Sequence, residues 1–358
     1  MPEPRNSTSL VPTAVVGGSG YVAGELLRLL HYHPHLRVQS VVSTTQPGSA
    51  VGDAFPHLAG CEAGHLAFES LDRLVERLRS GTLLAVFTAT PHGATAPLVD
   101  RLIGAGDAHM RIVDLSADFR FRDPGKYESI YGRPHGAPSR LPLFHCAIPE
   151  HSAPADTPHA CQPGCFATAV SLAAWPFLVE GLVRPEVFAS AVTGSSGSGR
   201  SPGEKTHHPA RRSALHAYSP LSHRHQPEIA HLLSRACGGR EPVVELVPHS
   251  GPFVRGIHAT LRMTLTQPRD TATLVAAAQR VYAAHPFLTC SDRMPTLTEV
   301  VGTNRCHLGI AASGATLVVT SVIDNLVKGA AGGAVQWMNR LFGWPDDTGL
   351  SLPGLGWY

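Results

Sequence analysis

The chain has 358 residues, 43% of them apolar and 16% charged, and its formal net charge of +2 comes from 29 basic and 27 acidic residues spread along its length. That length accommodates two domains with cores of their own, and the even charge distribution excludes a basic arm for nucleic acid. Residues 1–12 hold no apolar signal core, no later stretch reaches about 18 uninterrupted apolar residues, and the seven scattered cysteines do not form a disulfide framework, so a cytoplasmic protein without a membrane partner is expected.

The first third alternates apolar runs with amphipathic ones. "TAVVGG" (13–18) predicts a buried strand, and residues 20–32 predict a helix with Leu26, Leu27, Leu29 and Leu30 on its inner face. "RVQSVVS" (37–43), "LLAVFTA" (83–89) and "RIVDLS" (111–116) predict further strands. Such alternation implies a parallel sheet covered on both faces. The Pro-containing stretch 133–163 predicts a connection between domains.

A helix is expected over 167–180, followed by strands at 187–194, 242–249, 256–266 and 316–324 with few helices between them. This pattern implies a mixed or antiparallel sheet in a second domain. The last helix, 325–341, is rich in Gly and Ala and so is expected to pack close to another backbone. No internal repeat is present. The predicted domains are 1–163 for dinucleotide binding, 164–324 for catalysis and oligomerisation, and 325–358 as a helix and tail returning to the first.

"GGSGYVAGE" (17–25) lies between a predicted strand and a predicted helix, where backbone N–H groups at a helix N-terminus meet a dinucleotide's pyrophosphate. The spacing is Gly17, Gly20, Ala23, with a methyl group at the last close-packing position; an ordinary glycine turn is the alternative. After the second strand, "STTQPG" offers Ser43, Thr44 and Thr45 but no acidic residue for a ribose 2'-OH and no arginine for a 2'-phosphate. The hydroxyls favour NADP over NAD.

"CQPGCFAT" carries Cys161 and Cys165 four positions apart. A metal clip needs two more ligands, and no second pair has zinc spacing; a thioredoxin-like pair has two intervening residues rather than three. A single nucleophile at Cys165, behind Pro163 and Gly164 at a helix start, gains from the helix dipole and from N–H groups that also suit an oxyanion. A small buried cysteine in a tight turn is the structural alternative. "SHRHQPE" (222–228) offers His223, His225 and Glu228 in one short loop, suited to proton transfer, to a His-x-His metal pair, or to neither.

Together "GGSGYVAGELLRLL", "PHG" (91–93), "DLSADFR" (114–120), "PGCFAT", "GSSGSGR" (194–200), "HRHQPEI", "RGIHAT" and "DNLVKGAAGGAVQ" resemble the N-acetyl-gamma-glutamyl-phosphate reductase family, relatives of the aspartate semialdehyde dehydrogenases, over nearly the whole chain. The resemblance implies an α/β chain: a Rossmann-type nucleotide-binding domain followed by a mixed-sheet α+β domain of the semialdehyde dehydrogenase type. It implies Cys165 as nucleophile, His223 as general acid/base and Glu228 as its orienting partner, with no metal. Gly17, Gly18, Ser19, Gly20, Tyr21 and Val22 would hold the cofactor's pyrophosphate. Ser43, Thr44, Pro91, Asn325 and Lys328 would line NADPH, with Ser196 and Gly197 near the nicotinamide. Arg120, Arg200 and Arg255 are the candidates for anchoring substrate carboxylate or phosphate.

The implied reaction is reduction of an acyl phosphate to an aldehyde through a cysteine thioester, in arginine biosynthesis, by a homo-oligomer (dimer or tetramer). Where such enzymes read Asn-Pro-Gly-Cys-Tyr-Pro-Thr, this chain has Gln162, Phe166 and Ala167. With "THHPAR" (206–211) and the tail 343–355, these residues look more like the branch that reduces aminoadipyl or glutamyl phosphate tethered to a small acidic carrier protein. Arg200, Lys205, Arg211 and Arg212 would then form a docking surface. An inactive nucleotide-binding regulator and a Cys/His/Glu hydrolase are the alternatives of other classes.

Overall fold

The computed structural model describes residues 10–81, 84–153 and 156–356. Residues 1–9, Leu83 of the predicted third strand, and Pro154 and Ala155 of the predicted connection lie outside them. The chain divides into two compact units: one runs up to Ala147 and includes Ser152–Gln162 and Ala331–Ser351, while the other comprises Ile148–His151, Pro163–Ala330 and the chain from Leu352.

The first unit is built on six strands, β1 (Val11–Val16), β2 (Leu36–Val42), β3 (Ala85–Thr88), β4 (Arg111–Asp114), β5 (Phe144–Cys146) and β6 (His159–Cys161). They lie in the order β2-β1-β3-β4-β6-β5 and every pairing is parallel. Their apolar runs are buried on both faces, as a parallel sheet requires. Strand order reverses between β1 and β3, and ligands of open parallel sheets bind at such a switch point, beyond the carboxyl ends of the strands. The stretch expected to connect the domains instead contributes β5 and β6; three residues each, between prolines, they are too short to show a period.

Two features shape the carboxyl edge of this sheet. Asp118, from "DLSADFR", accepts from the N–H groups of Gly93 (2.7 Å), Thr95 (3.1 Å) and Ala96 (2.9 Å). It thereby caps helix Thr95–Ala105 and fixes the "PHG" loop before it. Helix Gly332–Phe342 packs on helix Tyr21–His31 and on β4 and β6, with Trp337 Nε1 donating to the Ala147 carbonyl at 3.0 Å.

The second unit carries seven strands, β7 (Glu186–Thr193), β8 (His216–Ala217), β9 (Val243–Ser250), β10 (Ile257–Thr264), β11 (Leu288–Ser291), β12 (Cys306–Ser313) and β13 (Thr316–Ile323). Their order is β11-β12-β13-β10-β7-β9-β8; β11 with β12 and β7 with β9 are parallel, the rest antiparallel. Helix Cys165–Val179 lies against β10 and β13 and against helices His225–Leu233 and Thr271–Val281. It is apolar all round, which suits a helix covered on every side. Pro176 inside it has no N–H for the carbonyl of Leu172, and the hydroxyl of Tyr282 donates to that carbonyl at 2.7 Å. On the opposite sheet face Glu186, Phe188, Val243 and Glu245 are exposed.

The predicted final helix does not begin at Asn325. Asp324 Oδ1 accepts from the N–H groups of Leu326 (2.8 Å) and Val327 (3.1 Å), and a π turn, Val327–Ala331, precedes helix Gly332–Phe342. That local competition for backbone donors is invisible to hydrophobic periodicity.

Candidate active site

In the first unit the turn 17–20 joins β1 to helix Tyr21–His31. Gly17 has φ +87°, and a Cβ there would stand 2.5 Å from the Ala89 carbonyl oxygen after β3, so glycine is required on two counts. The N–H groups of Gly17 and Gly18 donate to the Val42 carbonyl at 3.1 and 2.8 Å, fastening the turn to the end of β2. The helix then opens at Gly20 with no side-chain cap and no acidic residue in its first turn. The N–H groups of a first helical turn have no intrahelical partner, and here a pyrophosphate fits them without competition from a carboxylate. Ser43, following β2, is buried; its Oγ accepts from the N–H groups of Thr45 (3.3 Å) and Gln46 (3.2 Å), folding the segment after the strand into a tight turn. Pro91 is exposed, beside the Asp118-held Gly93. Arg120 is buried, with Nη2 donating to the Leu115 carbonyl at 3.3 Å.

In the second unit Cys165 is the first residue of its helix, again after a glycine with extended backbone and again without a side-chain cap. The Gly164 N–H donates to Oε1 of buried Glu228 at 2.7 Å. A Cβ on Gly164 would sit 2.3 Å from His225 Nε2, so the imidazole closes over the turn as far as glycine allows. The "SHRHQPE" stretch is a loop only as far as Arg224; helix His225–Leu233 follows, with Pro227 in its first turn, where its missing N–H costs nothing.

His223 lies beside this helix start, its ring 4.7 Å from that of His225 and 5.7 Å from that of Phe166. Its Nδ1 accepts from the His225 N–H at 3.2 Å, so the neutral ring carries its proton on Nε2. Burial, and after it the charge of Arg224, lower its pKa to about 4. The loop before it is tied to β9: Tyr218 and Leu221 donate to the carbonyls of Pro248 and Leu246, and Gln226 Oε1 accepts from the Leu246 N–H. Ser219 and Leu221 hold φ of +45° and +57°, left-handed backbone that side-chain-bearing residues adopt at a cost. Tyr218 was absent from the sequence-derived set. Its hydroxyl is held protonated by burial and, after that, by the charge on Cys165, which puts the phenol within electrostatic reach of the thiol. Its position five residues before His223 was the available signal.

Other expected residues gather in the same unit. Asn325 Nδ2 donates to Ser196 Oγ at 3.0 Å, Ser196 Oγ donates to the Val254 carbonyl at 2.6 Å, and Gly197 lies against the Asn325 amide. Gly329, in the π turn, packs on Cys165, with 2.7 Å between the cysteine Cβ and the place a Cβ would take. Lys328, expected along the cofactor, is buried with its ammonium on Glu150 and over the Phe287 ring at 5.4 Å. Arg255, expected as an anchor, places its guanidinium on Asp324 at 3.0 Å. Arg200 is exposed.

The expected docking surface needs one correction. Arg211 is buried and bonds to the Gly251 carbonyl, so it faces inward, while Arg212 is exposed; the side chain of Lys205 lies outside the described residues. Cys161 is buried in the first unit, near Asp114. Among the described residues, no group of three or more His, Cys, Asp or Glu is placed to hold a metal ion, and no helix is long and apolar enough to cross a membrane.

Comparison with known proteins agrees with this two-part construction. The family described as "Semialdehyde dehydrogenase, NAD binding domain" matches residues 12–166, and "Semialdehyde dehydrogenase, dimerisation domain" matches residues 165–325. The chain is 39% identical over 353 residues to the N-acetyl-gamma-glutamyl-phosphate reductase of Azotobacter vinelandii, covering 97% of this chain and 99% of that protein. It is 37% identical over 355 residues, with the same coverages, to the N-acetyl-gamma-glutamyl-phosphate reductase of Desulforudis audaxviator. Among solved structures, aspartate semialdehyde dehydrogenase II of Vibrio cholerae, complexed with ASA, shares the fold at a TM-score of 0.69 and 13% identity, over 93% of this chain and 98% of that one. Aspartate semialdehyde dehydrogenase of Candida albicans, solved with NADP, gives a TM-score of 0.65 at 14% identity, over 94% and 99%.

Proposed function

Because the chain belongs to the N-acetyl-gamma-glutamyl-phosphate reductase family, we propose that it reduces N-acetyl-gamma-glutamyl phosphate to N-acetylglutamate semialdehyde with release of phosphate, in arginine biosynthesis. The observation that carries this is Cys165 at the first residue of an uncapped, buried helix, behind a turn held by Glu228 and beside neutral His223. The sulfur of Cys165, as thiolate, adds to the acyl carbon; the carbon–oxygen bond to phosphate breaks, and a thioester remains on the enzyme. Charge developing on the acyl oxygen faces the N–H groups of the first helical turn. His223 donates from Nε2 and holds a proton at that oxygen. Glu228 is a positioning residue, fixing the Gly164 turn on which the sulfur stands.

A nicotinamide cofactor, when bound, supplies the hydride that takes the thioester to the aldehyde level; collapse of the resulting hemithioacetal returns Cys165 as thiolate. Gly17, Ser19 and Gly20, with the N–H groups of Tyr21 and Val22, would hold its pyrophosphate, and Ser196, Gly197 and Asn325 its nicotinamide side. NADPH is preferred to NADH, because the turn after β2 offers the hydroxyls of Ser43 and Thr44 and no acidic side chain. Arg120 and Arg200 anchor the substrate's anionic groups. The enzyme is cytoplasmic and a homo-oligomer, a dimer or tetramer, in keeping with the exposed Phe188 and Val243 on one face of the seven-stranded sheet; light scattering of the purified protein as a monomer would remove that part.

The test is phosphate-dependent reduction of NADP by free N-acetylglutamate semialdehyde. Turnover supports the proposal, and its absence in a protein that binds NADPH overturns it. A second reading rests on Gln162, Phe166 and Ala167 around the thiol and on exposed Arg200 and Arg212: the acyl phosphate is then aminoadipyl or glutamyl phosphate carried on a small acidic protein. Turnover confined to the carrier-bound semialdehyde would establish it instead.

A further inference from the structure

Cys161 is left unused by this chemistry, and the structure gives it a neighbour. Cys146 and Cys161 are in-register partners on the adjacent parallel strands β5 and β6. Both are free thiols, and in-register residues on adjacent strands turn their side chains to the same face of the sheet. Paired strands lie about 4.7–4.9 Å apart, and a disulfide spans Cα atoms about 4.4–6.8 Å apart, so the strands already hold the two residues at bonding range. Exposure is unequal: Cys146 is half-buried and meets solvent, whereas Cys161 is fully buried.

The buried thiol has a base beside it. Asp114 Oδ2 lies 4.0 Å from Cys161 Sγ, with the carbonyls of Ser116 and Gln162 each at 3.8 Å. Asp114 is fully buried and holds Thr88 and Ser116 hydroxyls at 2.7 Å each. Burial pushes its pKa up to about 6, which leaves it able to accept a proton near neutrality. Burial also pushes the Cys161 thiol well above its ordinary range, so it reacts only where a proton acceptor is at hand.

We propose that Cys146 and Cys161 form a reversible cross-strand disulfide by exchange with a low-molecular-weight disulfide, with Asp114 as the base for the buried thiol. The Cys146 thiolate attacks one sulfur of the small disulfide, expels a small thiolate and becomes a mixed disulfide. Cys161 gives its proton to Asp114 and attacks the Cys146 sulfur; the second small thiolate leaves and takes up the proton. The two protein thiols are oxidised by two electrons, and one small disulfide is reduced to two thiols. Cys165 takes no part.

The experiment uses the full-length Cys165→Ser protein, so that oxidation of the nucleophile cannot be mistaken for the pair. It is incubated with oxidised glutathione, acid-quenched, alkylated with N-ethylmaleimide and analysed by intact mass and peptide mapping. The expected result is loss of two alkylatable thiols and a linked peptide pair containing Cys146 and Cys161, reversed by dithiothreitol. Adding Cys161→Ser should arrest the reaction at a glutathione adduct on Cys146. Adding Asp114→Asn should slow closure of the disulfide about tenfold or more without slowing adduct formation. Full alkylation of both residues, a persistent glutathione adduct with Cys161 present, or linkage of Cys146 to another cysteine would overturn the pair. Equal closure rates with and without Asp114 would overturn the base. Should the Asp114 variant not fold, the linked-peptide map still decides whether the disulfide forms.

Discussion

Helix Tyr21–His31 and helix Cys165–Val179 begin alike: each follows a glycine in extended conformation, and each lacks a side-chain cap and an acidic residue in its first turn. What holds the two turns differs. The first is fastened through its backbone, with Gly17 and Gly18 on the Val42 carbonyl and Gly17 against Ala89. The second is fastened by side chains, Glu228 on the Gly164 N–H and His225 over Gly164, with His223 beside them. Fixed dipoles suit an anion whose charge stands throughout a turnover, as a pyrophosphate's does. A charge that appears and vanishes within each cycle needs groups that carry protons as well.

The largest separation of the two turns is expected from Cys165→Ser. Reductase turnover should fall by roughly 10⁴-fold or more, while NADPH binding, measured by fluorescence titration, stays unchanged. Retained turnover would remove the thioester from the reaction. Glu228→Ala comes next: it strips the acceptor from a buried N–H, a loss of about 1–3 kcal/mol, expected as a fall in kcat of about tenfold to a hundredfold. Glu228→Gln keeps an acceptor oxygen and should recover most of the rate. A Gln variant as slow as the Ala variant would move Glu228 from holding the turn to moving a proton.

Gly17→Ala attacks the other turn. A side chain at φ +87°, with Ala89 in its way, costs about 1–3 kcal/mol. The expected outcome is NADPH binding weaker by roughly fivefold to a hundredfold, with the rate of Cys165 alkylation unaltered. Slower alkylation would mean that the two turns are coupled.

How much of this was legible in the sequence follows the same division. The backbone-held turn is local, and its glycine spacing between a strand and a helix was sufficient to place it. The central strands were equally plain, because a parallel sheet buries continuous apolar runs. β5 and β6 were not, since three residues carry no period, nor was helix His225–Leu233, whose first turn contains Pro227 and two histidines close by. The side-chain-held turn was legible only in part. Cys165 behind Pro-Gly announces a helix start, but the bond from Gly164 to Glu228 joins residues 64 apart, and the Lys328–Glu150 pair joins residues 178 apart. Such contacts are products of the fold, and no local pattern encodes them.

The smallest effect concerns pH and bears on the second turn alone. An exposed histidine titrates near 6.5, and a general base of that kind would give kcat an acid limb there. His223 instead has its pKa lowered to about 4, first by burial and then by Arg224. The neutral, donating ring is therefore the populated form at every pH above about 4, and its contribution is lost only as pH falls through that value. The kcat profile between pH 5 and 7.5 should show no inflection attributable to His223, and the profile of His223→Gln should run parallel below that of the unsubstituted enzyme. An inflection near 6.5 that disappears in His223→Gln would show the imidazole taking up a proton during turnover, and Nδ1 would then have to release the His225 N–H in each cycle.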